Sequence, residues 1–467
     1  MAIRTTLGAI CCLKGGSAFK PAFQGAASGQ HPFIKVSDLG RPGNETAIAV
    51  SGNWVSSEDL RAMKVKLIPA GATVFAKIGE ALRSNRLRVL VRPTAIDNNM
   101  MAAVPDRNLV RPRYLLRMLS QHDLGELAVG TALPYLTSSR LSELPVLLPS
   151  LDEQDSLLVS IDALDAFAAG RPGVGRVVAL SVKRLIDGEI SEAEAMRIGN
   201  EAAAALGPLD DKIELNRRMN ETLEEMARAL FKSWFVDFDP VRAKAEGRDP
   251  GLPKHLADLF PDRLVDSELG PIPDGWHVLP LDQIAQFLNG LALQKYPHTS
   301  GPFLPVIKIA QLRKGDSEGS DRANTEVPSQ YVVSDGDVLF SWSGSLECEV
   351  WAGGPGALNQ HLFKVTSAVY PRWLLYLAVR HHLDGFRAIA ADKATTMGHI
   401  KRGHLSGAMI ALPRFRLLDA MGVHVGSTVD AAHAGRLEAR SLGELRDTLL
   451  PTLIDRSQRP SGVVDHG

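Results

Sequence analysis

Between residues 209 and 237 apolar side chains recur at steps of three and four: Leu209, Ile213, Leu223, Ala227, Leu230 and Trp234. Asn216 and Asn220 fill the two remaining seam positions, and the surface between is charged (Asp211, Lys212, Glu214, Arg217, Arg218, Glu224, Glu225, Arg228). The spacing predicts one long amphipathic helix, begun by Gly207-Pro208 and running about 43 Å at about 1.5 Å per residue. It has to bury its stripe against a partner. After residue 413 a second run shows the same period, with Leu418, Met421, Val425, Ala432, Ala439, Leu442 and Leu449 on one register. Thr428, Gly435 and Arg446 complete it, and its small residues predict close approach to the first helix.

Outside these runs the pattern changes to short β-like stretches (32–36, 73–78, 88–91, 146–148) punctuated by Gly, Pro and Asn, with a helical run at 113–119. The same order then returns. "PFIKVSDL" (32–39) reappears as "PVIKIAQL" (305–312), "IPAGATVFAKIG" (68–79) as "VSDGDVLFSWSG" (333–344), and "PRYLL" (112–116) as "PRWLL" (371–375). "TALPYLTSSRLSELPVLLP" (131–149) returns as "TTMGHIKRGHLSGAMIALP" (395–413). Four pairs in order, with a drifting offset, are a tandem duplication with a helix between its copies. The expected fold class is α+β: two similar α+β domains separated by long antiparallel, coiled-coil-like helices, a pseudo-two-fold dumbbell. Expected boundaries are 1–149 for the first copy, 150–208 for a helical insertion, 209–240 for the central helix and 241–275 for a linker. The second copy takes 276–413, the distal helix 414–455, and a disordered tail 456–467. Within the insertion, 151–169 reads as helix, "GRPGVG" (170–175) as a turn, and "SEAE" (191–194) as a capping box before an Ala-rich run.

Composition adds limits. With 45% hydrophobic and 22% charged residues in a chain of 467, the sequence is that of an ordinary globular protein. It has no apolar run long enough for a membrane helix and no secretory signal, so a cytoplasmic, non-membrane location is expected. Cys11, Cys12 and Cys348 fit no disulfide or zinc pattern and read as buried structural thiols. The net charge of −1 hides an asymmetry: residues 1–149 hold 18 Lys+Arg against 10 Asp+Glu, whereas 276–413 hold 12 against 11. A phosphate-facing surface is plausible on the first copy; the second would need a local patch.

Catalytic motifs are missing. There is no P-loop, and Asp239-Pro240-Val241 stops short of the Asn/Asp-Pro-Pro-aromatic tetrapeptide of adenine methyltransferases. The carboxylate pair in "PDRLVDSELG" (261–270) has no following Lys. His361, His381, His382, His399 and His404 lack compact ligand spacing, so no metal site is expected. "KIGEALRSNRLRVL" (77–90) reads as strand, exposed turn, strand, with Arg83, Asn85 and Arg86 at the tip. Arg and Asn can each make two hydrogen bonds to a base edge; a plain solvated hairpin tip remains the alternative. The corresponding stretch of the second copy, "SWSGSLECEVW" (341–351), is chemically different, as expected if each copy reads its own target. Trp234, Phe235 and Phe238 are too apolar for a solvated helix end, and suit either a partner interface or packing within the chain.

The stretch "LDDKIELNRRMNETLEEMARALFKSWFVDFDPVRAKAEG" closely resembles the central conserved region of the specificity subunits of type I restriction–modification enzymes. "DGWHVLPLDQIAQFLNG" (274–290), "LNQHLFKV" (358–365) and "TTMGHI" (395–400) resemble features of that family's target-recognition domains. "IDNNMM" (96–101) and "GTALPYL" (130–136) are the first-copy equivalents, and "LRDTLLPTLI" (445–454) resembles the family's C-terminal helix. The resemblance implies a non-catalytic protein that reads a split, asymmetric sequence in double-stranded DNA, one part per domain. It also implies two modification (methyltransferase) and two restriction subunits as partners, with S-adenosylmethionine, ATP and magnesium belonging to them and no cofactor here. The competing reading is a scaffold that joins proteins without binding DNA. One departure from the family pattern is residues 155–207, inserted where its members pass almost directly into the central helix.

The expected DNA-binding residues are Lys35, Lys77, Arg83, Asn85, Arg86, Asn98 and Asn99 in the first copy. In the second they are Lys308, Trp342, Ser343, Gln360, His361, Thr396, His399 and Lys401. Leu223, Leu230, Trp234, Phe235 and Phe238 are the expected partner-binding residues.

Overall fold

A computed structural model describes residues 2–130, 134–391 and 398–458. The chain forms two compact units, one made of residues up to Asp210 together with those from Arg446, the other of Asp211–Leu445. Both long helices, Glu192–Phe235 and Phe415–Gln458, contribute residues to each unit.

In the first unit the β-like runs become His31–Ile34, Thr73–Ala76, Arg88–Leu90 and Pro145–Leu148, and the helical run becomes Pro112–Ser120. Cys11–Gly15, Met100–Pro105, Thr73–Ala76, Arg88–Leu90 and Ala47–Ile48 form a five-stranded sheet in that order. His31–Ile34 pairs with Trp54–Val55 and runs parallel to Ala95–Ile96 in a second sheet. Cys11 is buried in this unit, but Cys12 is exposed, against the expectation of a buried thiol.

Two readings of the insertion are corrected. Residues 170–175 are not simply a turn: the break falls at Ala169–Arg171, and Gly173 and Gly175 lie in the first turn of the helix Pro172–Ile186. The central helix begins at Glu192, capped by the Ser191 hydroxyl accepting from Glu194 N at 3.2 Å, rather than at Leu209. Pro208 forfeits one backbone hydrogen bond inside a helix, but Ala202, Leu206 and Asp210 on either side of it are all buried. That burial holds the helix continuous. Asp210 also explains why Gly173-Val174 is helical. Its Oδ2 accepts from the backbone N–H of Gly173 (2.8 Å) and Val174 (3.1 Å), while its Oδ1 faces Arg446 Nη1 at 3.2 Å.

The second unit repeats the plan. Gln286–Asn289, Leu362–Thr366, Val338–Ser341 and Cys348–Val350 form one sheet; Arg322–Asn324, Phe303–Ile307, Gly356–Leu358 and Val332–Val333 form the other. Within this unit the two long helices lie side by side and antiparallel. Asn216 Nδ2 donates to Glu438 Oε2 at 2.8 Å, Glu224 pairs with Arg436, and Lys212 reaches Glu438 at 3.6 Å. Asn220 meets Gly435 so closely that a Cβ there would sit 2.3 Å from its Oδ1. The expected seam positions are therefore buried or half-buried on the central helix. The distal helix departs from its expected register at the end, where Leu450 is buried and Leu449 exposed. This helix is described to Gln458; the expected tail otherwise lies outside the described residues. Among the described residues no helix is long and apolar enough to cross a membrane.

Candidate nucleic-acid interface

In the first unit the parallel pair His31–Ile34 and Ala95–Ile96 ends at Lys35 on one strand and at Asp97, Asn98 and Asn99 on the other. Asp97 N donates to Ile34 O (3.0 Å), and the Asp97 carboxylate accepts from Asn99 N (2.7 Å), fixing the turn that presents both asparagines. Lys77 follows the strand Thr73–Ala76. Its N–H donates to Asn99 O (2.9 Å) and its O accepts from Leu136 N (2.8 Å). Lys35, Lys77, Asn98 and Asn99 are thus gathered at one edge of the two sheets. Close backbone approach makes this edge possible: a Cβ on Gly16 would lie 1.9 Å from Asp97 O.

The other three first-copy candidates are placed differently. Glu80–Arg83 is a single helical turn, not the exposed loop of a hairpin. Asn85, at φ 45°, spends its side chain inside the unit, donating to His122 O (2.9 Å) and accepting from Leu124 N (3.2 Å). Arg86 lies against Gly40, and Arg83 is exposed beside Glu80. Asn85 is a structural residue here: its partners, 37 and 39 positions away, could not be read from the turn itself.

The second unit builds the same edge bond for bond. Asn359 N donates to Ile307 O (3.2 Å), Trp342 N to His361 O (3.3 Å), and Ile400 N to Trp342 O (2.9 Å). Gly290 approaches Asn359 O as Gly16 approaches Asp97 O, with a would-be Cβ at 2.2 Å. Gly79 (φ 72°) and Gly344 (φ 65°) follow the two equivalent strands, where only glycine accepts that backbone without strain. The positions correspond as Lys35 to Lys308, Lys77 to Trp342, Asn98 to Gln360 and Asn99 to His361.

The side chains on this shared frame differ. Lys308 is ion-paired with Asp321 (2.5 Å). The Trp342 indole N–H donates to Asn289 Oδ1 (2.8 Å) and Gln360 O (3.2 Å), and its ring packs against His361 and His399 with centroids 5.9 and 6.4 Å apart. Ser343, buried, holds His361 Nδ1 at 2.9 Å, and Gln360 Nε2 lies 3.4 Å from His361 Nε2. Trp342 is therefore the fixed centre of this edge, with Gln360 and His361 at its rim. Lys401, exposed, starts the short helix Arg402–Ser406 with its N–H on His404 Nδ1 (3.1 Å). Thr396 lies outside the described residues. Sequence reasoning missed Asn289, the acceptor that anchors Trp342; the "FLNG" motif carried it, but nothing in the motif gave its partner.

The candidate partner-binding residues lie mostly inside the second unit. Trp234, Phe235 and Phe238 are buried, with Phe235 and Phe238 both 5.7 Å from the Trp276 ring and Trp234 edge-on to Phe260 at 5.9 Å. Of the two readings left open for these aromatics, packing within the chain is what the structure contains. Leu223 and Leu230 are half-buried in the seam. Leu215, Met219 and Met226, each one residue before a seam position and about 100° round the same helix from it, are exposed.

Residues 4–170 match the family described as the type I restriction modification DNA specificity domain. The chain is 23% identical over 461 residues to the specificity subunit of the type I restriction enzyme HindI of Haemophilus influenzae, covering 85% of this chain and 89% of that protein. It is 27% identical over 263 residues to the specificity subunit of the type I restriction enzyme MjaIX of Methanocaldococcus jannaschii, covering 54% and 56% of the two. Among solved structures it is similar to the type I restriction–modification S subunit of M. genitalium (12% identity, 99% of this chain and 97% of that one, TM-score 0.38). A chain from a type I R-M system studied for complex assembly gives 14% identity, 99% and 98% coverage and a TM-score of 0.44. The sequence relatives define the class, a DNA specificity domain of the type I restriction–modification kind. Residues 4–170 carry that domain, and the chain as a whole is similar to the specificity subunits of type I restriction enzymes.

Proposed function

We propose that this chain is the non-catalytic, sequence-reading subunit of a type I restriction–modification complex, in which each unit presents one edge to double-stranded DNA and reads one part of a split, asymmetric target. One observation carries this reading: two edges share a skeleton of main-chain hydrogen bonds while nearly every outward side chain differs between them. A shared frame with unlike tips is what two different half-targets require, because base edges are distinguished by side-chain donors, acceptors and methyl contacts rather than by main chain. The first edge offers two lysines and two asparagines, the second a glutamine and imidazoles around a tryptophan.

Modification subunits, and through them restriction subunits, would be carried by the chain, in a ratio of two of each. The exposed stripe Leu215, Met219 and Met226 supports a docking helix for such a partner, and the buried Trp234 cluster would support it from within. S-adenosylmethionine, ATP and magnesium chemistry would reside in those partners.

The test is genome-wide mapping of adenine methylation with the chain present or deleted. A two-part motif that disappears on deletion is expected. No change in methylation, with no retention of duplex DNA by the chain plus its modification partner, would refute the reading and leave a protein scaffold in its place.

A further inference from the structure

We infer that Tyr135 is a DNA-contacting residue of the first edge, occupying the position that His399 takes in the second; this rests on the DNA-reading function above. The equivalence is set by the backbone. Tyr135 bridges to Ile78 as His399 bridges to Ser343, and the next residue of each, Leu136 or Ile400, donates to Lys77 O (2.8 Å) or Trp342 O (2.9 Å). Gly79 N donates to Pro134 O at 2.8 Å, and Gly344 N to Gly398 O at 2.9 Å. The two residues therefore stand at one place on one frame, directly beside the positions expected to meet bases.

What stands there is unusual for its surroundings. Tyr135 N and O both bond to Val129, each at 2.9 Å, so its backbone is held on two sides, yet the residue is 47% exposed. A fixed main chain with an aromatic ring left in solvent offers a large contact surface at little ordering cost on binding. Tyr135 bridges to Ile78, the residue after Lys77, and Lys77 is bonded through its backbone to Asn99. Lys77 can neutralise a phosphate, Asn99 can read a base edge, and the tyrosine adds a ring face for a thymine methyl or sugar and a hydroxyl that hydrogen-bonds. In the second unit the corresponding imidazole lies edge-on to Trp342, so that edge has an aromatic pair where the first has a lysine and a phenol. Tyr135 is then the residue through which the first edge makes apolar contact with its half-target.

The experiment uses the full chain assembled with its modification subunits and the target found by methylation mapping. Duplexes carry the intact target, a scrambled first part or a scrambled second part. Wild-type complex must prefer the intact target; failure at that point overturns the DNA-reading function itself, not the role of Tyr135. Given that preference, Y135A is expected to weaken binding to the intact target by roughly 5- to 150-fold. It should also shrink the penalty for scrambling one part of the target and leave the penalty for the other at its wild-type size. Y135F retaining affinity would place the contact in the ring, and Y135F falling with Y135A would place it in the hydroxyl; either outcome supports the inference. Wild-type affinity in Y135A overturns it, as does an equal loss of both penalties, which would mark a general weakening of the fold.

Discussion

Asp210 gives the most demanding prediction. Its carboxylate is 2% exposed and holds three groups at once: the N–H of Gly173, the N–H of Val174 and the guanidinium of Arg446, itself largely buried. Asp210→Ala removes the acceptor for two buried backbone donors, each costing about 1–3 kcal/mol when left unmade. It also takes from Arg446 one of its two carboxylate partners, Asp447 staying at 3.0 Å, so the share of the cation lies below the ~3–5 kcal/mol for breaking an isolated buried pair. These penalties overlap, so the expected loss for the first unit is about 3–5 kcal/mol. Asp210→Asn keeps an acceptor but not the charge and should lose about half as much. Replacing both partners with apolar residues, Asp210→Leu with Arg446→Met, should recover most of the Arg446 share while leaving the Gly173 and Val174 donors unmet. Amide hydrogen exchange at Gly173 and Val174, with urea unfolding of the full chain, measures the effect. About 3–5 kcal/mol corresponds to exchange faster by two to four powers of ten. Exchange at these two amides within about tenfold of wild type would refute the reasoning.

Gly435→Ala should destabilise the second unit by about 1–3 kcal/mol, since the added methyl has to displace the Asn220 amide across the seam. Combining it with Asn220→Ala should restore most of that loss in thermal unfolding, and strict additivity of the two changes would count against the contact. A pH dependence follows from His382, whose imidazole is pushed down to about 4 by burial and by neighbouring His381. Because the unfolded chain takes up this proton near pH 6.5 and the folded one does not, stability should be unaffected above that and fall as pH drops towards 4. The loss is at most about 2 kcal/mol at pH 5. His382→Gln should flatten that part of the profile, and an unchanged slope would remove the group from the account.

The sheets and the seam were legible because both depend on local period. Short apolar runs at 73–78 and 146–148, bounded by turn residues, became strands, and Ala227, Trp234 and Asn216 turned inward as the three-and-four spacing requires. The duplication was legible too, since each copy solves one packing problem with one order of elements. What was missed depends on partners distant in sequence. Gly207-Pro208 looks like a helix boundary until Leu206 and Asp210 are seen buried around it. Gly173-Val174-Gly175 looks like a turn until the Asp210 carboxylate is found to cap it from a different helix. Asn85 had the chemistry of a base reader, but residues 122–124 claim both ends of its amide. Tyr135 lay in a motif already matched to its counterpart, and an alignment of "GTALPYL" with "TTMGHI" position by position would have set it opposite His399.

The near-contact of Gly16 with Asp97 O, repeated by Gly290 with Asn359 O, bears on how such a protein changes its preferences over generations. On the proposed function, the exposed rim residues Asn98 and Asn99 are where point changes can alter what is bound without disturbing how the chain folds. The two glycines answer only to the scaffold, and any side chain at either would collide with the opposite strand whatever sequence was being read. New preferences should therefore accumulate at Asn98 and Asn99 while Gly16 and Gly290 stay fixed, which is how one architecture can serve many alphabets.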